Sequence, residues 1–200
     1  MNRSHRPLLV AVGWLLAAPV LASTPDEWLD AELPAIVDFY KDLHASPELS
    51  LAEHETAAKL ADAWEAAGFE VTRGVGGTGV VAVMENGDGP TLLLRTDMDA
   101  LPVVEATGLS YASEVKTKDR RGATVGVMHA CGHDVHMANT IGATRCLAAH
   151  RDLWRGTLVV IGQPAEELSA GAQAMLADGL LARFPRPDMA VALHAANDVA

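Results

Sequence analysis

Two hundred residues, half of them hydrophobic and a fifth charged, make one ordinary domain or part of a larger one and exclude a disordered chain. Lys and Arg number 15 against 26 Asp and Glu, a formal net charge of −11, and the densest basic stretch is Lys116–Arg121, so no surface for gripping nucleic acid or anionic lipid is expected. Aromatics at 4% are too sparse for a base-stacking platform, and two cysteines cannot staple a disulfide miniprotein.

The chain opens on an address segment. Arg3, His5 and Arg6 precede an apolar run from Leu8 to Ala18, shorter than the about 20 residues that span a bilayer. Pro19-Val20-Leu21-Ala22 then supplies a helix breaker and small residues, so residues 1–22 are expected to be a signal peptide cleaved after Ala22. An uncleaved membrane anchor is the alternative. Cleavage leaves no stable anchor and an exported product, periplasmic or secreted.

Thr24-Pro25-Asp26-Glu27 is a capping box, and apolar residues at helical spacing from Trp28 to Leu43 predict a helix to about His44, with Pro34 a candidate kink. Ser50-Leu51-Ala52-Glu53 reads as a second capping box, opening a helix that stops at Gly68. The period then changes to strands over Phe69–Arg73, Val80–Met84 and Thr91–Arg95. Asn86-Gly87-Asp88-Gly89 predicts a tight hairpin between the last two. Asp134 is placed to cap a helix from Val135 to about His150. Thr157–Gly162 is a further strand, Gly171–Ala177 a short helix and Met189–His194 a final strand. The alternation predicts a layered α/β domain over residues 23–200.

Polar groups cluster at three predicted strand ends: Asp97 and Asp99, Glu166 and Glu167, and His194. Ligand sites of α/β sheets lie outside the carboxyl ends of strands, where these groups can converge. Cys131 and His133, separated by Gly132, precede a helix N-terminus, which favours a thiolate; alone, each reads more readily as a core residue. A thiolate and an imidazole two residues apart suit zinc and similar borderline metals. Adjacent carboxylates at Glu166 and Glu167 repel unless a cation compensates, and their side chains point different ways. One can bind a metal while the other acts as a base. Cys146 lies about 18 Å along the helix from its start, too far from Cys131 for a disulfide, and is expected to be buried.

Five blocks in order carry a resemblance: His44-Ala45-Ser46-Pro47-Glu48-Leu49-Ser50, Leu94–Pro102, Met128–Asp134, Glu166-Glu167 and Leu193-His194. Over about Asp38 to His194 the chain resembles the metal-dependent amidohydrolases of the aminoacylase/carboxypeptidase superfamily, closest to N-acyl-amino-acid, hippurate and auxin-conjugate hydrolases. The resemblance implies a layered α/β/α zinc-peptidase-like catalytic domain. It makes Cys131, His133, Glu167 and His194 metal ligands and Glu166 the catalytic base. Arg95 stands where relatives have a ligating His, which leaves Asp97 near the metals without ligating them, and His44 receives no role. One or two divalent ions are implied, zinc or manganese first, then cobalt or nickel. The implied substrate is a small N-acyl amino acid or peptide, split at its amide. The family's lid domain, its dimer contacts and a further metal-binding His fall beyond Ala200. The chain is therefore expected to be truncated, without its lid, and inactive or nearly so alone, with a homodimer formed by the longer enzyme. Two other readings stand beside it: an exported non-catalytic metal-binding fragment, and a cysteine hydrolase using Cys131 with His133 or His129 as base.

Overall fold

The computed structural model describes residues 23–196, so the leader expected over residues 1–22 lies outside the described residues. Helix α1 (Pro25–Ala45) starts as its sequence requires. Thr24 accepts from the Glu27 N–H, and the Glu27 carboxylate accepts from the Thr24 N–H.

The second capping box does not form. Helix α2 (His54–Ala66) starts later, and the Glu48 carboxylate caps it instead, accepting from the N–H groups of Glu55 and Thr56. The Ser50 hydroxyl is drawn to Asp99, and the Glu53 carboxylate turns inward. Both side chains reach buried partners that outcompete a solvent-exposed cap.

Five strands form the main sheet: β1 (Glu70–Val75), β2 (Gly79–Asn86), β3 (Thr91–Asp97), β6 (Gly156–Gln163) and β7 (Met189–Ala192), in the order β1-β2-β6-β3-β7. The expected β2–β3 hairpin is therefore wrong. Strand β6 lies between them, antiparallel to β2 and parallel to β3. Residues 87–90 carry the chain across two strand spacings, about 10 Å. Asn86, instead of shaping a tight turn, donates to the carbonyls of Arg151 and Trp154 just before β6. Strand β6 takes the centre because it is apolar on both faces. Leu158 and Val160 pack with Val80, Ala82 and Met84 towards α1, α2 and the third helix, α3 (His133–Ala149), while Val159 and Ile161 pack with Val81 and Leu93 towards α4 (Gly171–Ala177) and α5 (Leu180–Arg183). This makes a three-layer α/β/α sandwich.

A second, two-stranded sheet pairs β4 (Lys116–Lys118) with β5 (Thr124–Gly126). Helix α3 begins at His133, one residue before the expected cap. Gly132 holds the N-cap position at φ 78°, and Asp134 sits inside the first turn with one oxygen on His44. Cys131 and Cys146 are both free, and Cys146 is half-buried, not buried as expected, with Sγ 3.8 Å from His150 Nδ1. Among the described residues no helix is long and apolar enough to cross a membrane.

Candidate metal centre

Strands β3, β6 and β7 run parallel, so their carboxyl ends open on one edge of the sheet. Asp97 ends β3, Glu166 and Glu167 follow β6, and His194 lies two residues past β7, which stops short of the expected His194. The turn before α3 brings Cys131 and His133 to the same edge. Among the described residues three donor groupings result, each with ligand atoms within 4.8 Å of one another: Cys131 with His133 and His194, His133 with Glu166 and Glu167, and Asp97 with His133 and His136. His133 belongs to all three.

The Cys131 Sγ lies 3.5 Å from His194 Nε2. His133 is fully buried, its Nε2 3.7 Å from Asp97 and Glu167 and 3.8 Å from Glu166. Neither nitrogen of His133 has a hydrogen-bond partner, and neither has the buried Oε1 of Glu167. Buried polar atoms without partners are costly, and His133 Nε2 and Glu167 Oε1 face one another at 3.7 Å. Burial opposes a charge on His133, yet Asp99, Asp97 and Glu167 together raise its pKa. Burial and the same acidic surroundings, Glu167 foremost, push the Cys131 thiol up to about 11. Surplus negative charge, an imidazole nitrogen without a partner and a thiol that a cation would help to ionise are a donor set that fits a divalent cation.

The raised thiol pKa, from burial first and then the neighbouring carboxylates, opposes the thiolate that the helix N-terminus favours. It also weighs against Cys131 as an unaided nucleophile. Burial lowers His129 to about 4, so it is a weak base at neutral pH, and its ring nitrogens are unpartnered.

The sequence reading named Asp97, Asp99 and His44 without their partners and missed His136 altogether. The carboxylate of Asp99 accepts from the backbone N–H groups of Glu166 (3.0 Å) and Glu167 (3.1 Å) and from the Ser50 hydroxyl, and lies 3.4 Å from His133 Nδ1. Burial works against its charge, but His133, Ser50 and the two N–H groups hold its pKa below the usual range. One side chain thus fixes the backbone of both glutamates and places its charge beside the central imidazole. His136, one helical turn after His133, takes the Ala195 N–H on Nε2 at 2.6 Å. Its proton therefore sits on Nδ1, which donates to Asp97 at 2.7 Å. Both its nitrogens are occupied, which makes it a tie holding the His194 segment to β3. The i,i+3 spacing of His133 and His136 was the available signal. Asp97 divides its oxygens between His136 and Arg95, the latter at 2.6 Å. His44 bridges Asp134 (2.6 Å) and Glu105 (3.0 Å), fastening α1 to the first turn of α3.

A layered α/β/α domain that gathers imidazole, thiol and carboxylate donors at the carboxyl edge of its parallel strands has the framework of a metallohydrolase. The chain belongs to the peptidase family M20/M25/M40, whose model matches residues 93–199, more than half of its length. It is 38% identical over 166 residues to the N-acetyl-L-cysteine deacetylase of Bacillus subtilis (strain 168), covering 82% of this chain and 37% of that protein. It is 40% identical over 150 residues to thermostable carboxypeptidase 2 of Saccharolobus solfataricus, covering 73% and 36%. Among solved structures, the Bacillus subtilis YXEP protein, described as a dinuclear metal-binding peptidase of the M20 family, superposes with a TM-score of 0.74 at 37% identity, covering 84% of this chain and 44% of that one. The chain spans little more than a third of the length of the curated relatives it matches, 36% to 37% for the first three.

Proposed function

We propose that this chain carries part of the catalytic domain of an exported, metal-dependent amidohydrolase that splits the amide bond of N-acyl amino acids or small peptides. The observation that supports this most is the orphaned His133 Nε2 set among Glu166, Glu167 and Asp97, with Cys131 and His194 alongside. Cys131, His133, Glu167 and His194 would hold one or two divalent ions, zinc or manganese by the chemistry of the donors. Such an ion supplies a Lewis acid that polarises the amide carbonyl and acidifies water near neutral pH.

The protein's own part is proton handling and orientation. Glu166 keeps about a third of its side chain exposed, so its carboxylate can reach a substrate that its buried neighbours cannot. It takes the proton from the attacking water and delivers it to the amide nitrogen as the carbon–nitrogen bond breaks. The products are a carboxylic acid and an amino acid or peptide. Asp99 fixes the backbone of Glu166 and Glu167, so the base does not have to be reorganised during the reaction. The relatives that share this framework are named for deacetylation of an N-acetyl amino acid and for carboxypeptidase action, which supports an amide substrate.

The test separates the base from the ligands. Full-length gene product is stripped with a chelator, reloaded with zinc or manganese, and assayed on N-acetyl and N-benzoyl amino acids. Glu166→Gln should retain bound metal and lose about 10²-fold or more in kcat. Glu167→Gln should lose metal and activity together. Hydrolysis that survives chelation, or that Glu166→Gln leaves intact, rules the mechanism out.

A further inference from the structure

The basic stretch Lys116–Arg121 has no part in the reaction just described, yet the fold places its end beside the reaction centre. A turn over residues 119–123 joins β4 to β5, with Asp119 at its base. The Asp119 carboxylate accepts from the N–H groups of Arg121 (2.9 Å) and Ala123 (2.8 Å), and its backbone pairs with that of Ala123. The turn is ordered by its own hydrogen bonds, and both arginine side chains stay outside them.

Arg120 and Arg121 line one wall of a cavity of about 660 Å³, within the range of small-molecule sites. Glu167 and Leu168 form another wall, with Leu101 and Pro102 supplying apolar surface. The cations that pair with carboxylates elsewhere are Lys41, Lys59, Arg73, Arg95, Arg145 and Arg183; among the described residues Arg120 and Arg121 have no such partner. In a chain of net charge −11, two uncommitted guanidinium groups facing an acidic centre across an apolar cavity are the local exception. They make this the place where an anion is attracted and not repelled.

We propose that Arg120 and Arg121 are specificity residues that bind the free carboxylate of an N-acyl amino acid, whose amide is presented to the Glu166–Glu167 turn while its apolar part fills the cavity. This rests on the hydrolase reading above. The ligand class follows from the lining: a planar carboxylate for the guanidinium fork, and a short apolar group for Leu101, Pro102 and Leu168.

The test is binding, measured by calorimetry on zinc-loaded protein in a Glu166→Gln background to prevent turnover. The probes are N-benzoylglycine and its carboxamide, equal in shape and different in charge. The acid should bind about tenfold tighter than the amide, and Arg120→Gln/Arg121→Gln should abolish that preference. Lys116→Gln, on the same hairpin but outside this cavity, should preserve it. Equal affinity for acid and amide in the starting protein overturns the proposal without any further variant, as does a preference that persists in the double variant. Zinc uptake and hydrolysis by the unsubstituted enzyme would then still stand, so the two readings fail separately. Failure of both probes to bind ends the proposal, and a zinc titration then shows whether the metal site exists without it.

Discussion

The buried carboxylate of Glu53 accepts the backbone N–H of Ala165 at 2.7 Å, across 112 residues of sequence. The same oxygen takes the Leu51 N–H at 2.9 Å, and the other takes the Thr78 hydroxyl at 2.6 Å. Ala165 has φ 47°, a left-handed conformation that a non-glycine residue keeps only when its surroundings hold it there, and Glu166 follows directly. Glu53→Ala leaves the buried Ala165 N–H without its partner and frees the Leu51 N–H and the Thr78 hydroxyl as well. It should cost about 2–4 kcal/mol in urea unfolding and sharply speed hydrogen exchange at the Ala165 amide. Unchanged exchange there would show that the carboxylate does not hold the turn.

Gly171 governs the other side of that turn. A Cβ built there would sit 1.5 Å from the Pro164 carbonyl oxygen, a collision with backbone that no rotamer relieves. Gly171→Ala should therefore destabilise by about 3 kcal/mol or more and displace the Glu166–Glu167 loop. In the zinc-loaded protein this would appear as weaker metal binding as well as a lower melting temperature. A variant with a lower melting temperature but unaltered zinc affinity would separate α4 packing from the site.

Metal binding should stabilise the fold by mass action. Zinc at one hundred times its Kd adds about 2.7 kcal/mol, enough to raise the melting temperature by several degrees, and a chelator should reverse the shift. Cys131→Ala should abolish most of the rise, since it removes the only thiol in the donor groupings. The same zinc-induced shift in wild type and variant would remove the thiol from the ligand set.

His44 sets a pH dependence of stability. Both ring nitrogens face carboxylate oxygens, an arrangement that only the doubly protonated ring satisfies. Burial opposes that charge, but Glu105 and Asp134 outweigh it and raise the folded pKa above 6.5. A raised histidine pKa means that the stabilisation is complete below the unfolded value and fades as pH rises through the folded one. The stability gap between wild type and His44→Gln should thus be widest near about pH 6 and narrow towards about pH 9. A gap independent of pH would assign His44 a packing role alone, among Tyr40 and Tyr111.

The local elements were largely legible in the chain, because their signals are local. The Thr24 capping box, the bounds of α4 and the apolar period of β6 depend on neighbours within a few residues. The family blocks likewise brought Cys131, His133, Glu166, Glu167 and His194 to attention before any geometry. The β2–β3 hairpin failed as an expectation because strand pairing is decided by which strand can be buried on both faces, and β6 arrives some sixty residues later. The Ser50–Glu53 capping box failed because Asp99 and Ala165, distant in sequence, claim both side chains.

Composition, periodicity and motif order by themselves determined an acidic α/β domain with metal-type donors at its strand ends. Only the tertiary structure decided how those donors are held: Asp99 beneath the two glutamates, His136 behind the His194 segment, Glu53 under Ala165, and two unpaired arginines across the cavity. The reason is physical. A carboxylate's role depends on which N–H groups and cations reach it, and here those partners come from segments tens of residues apart that no local pattern relates.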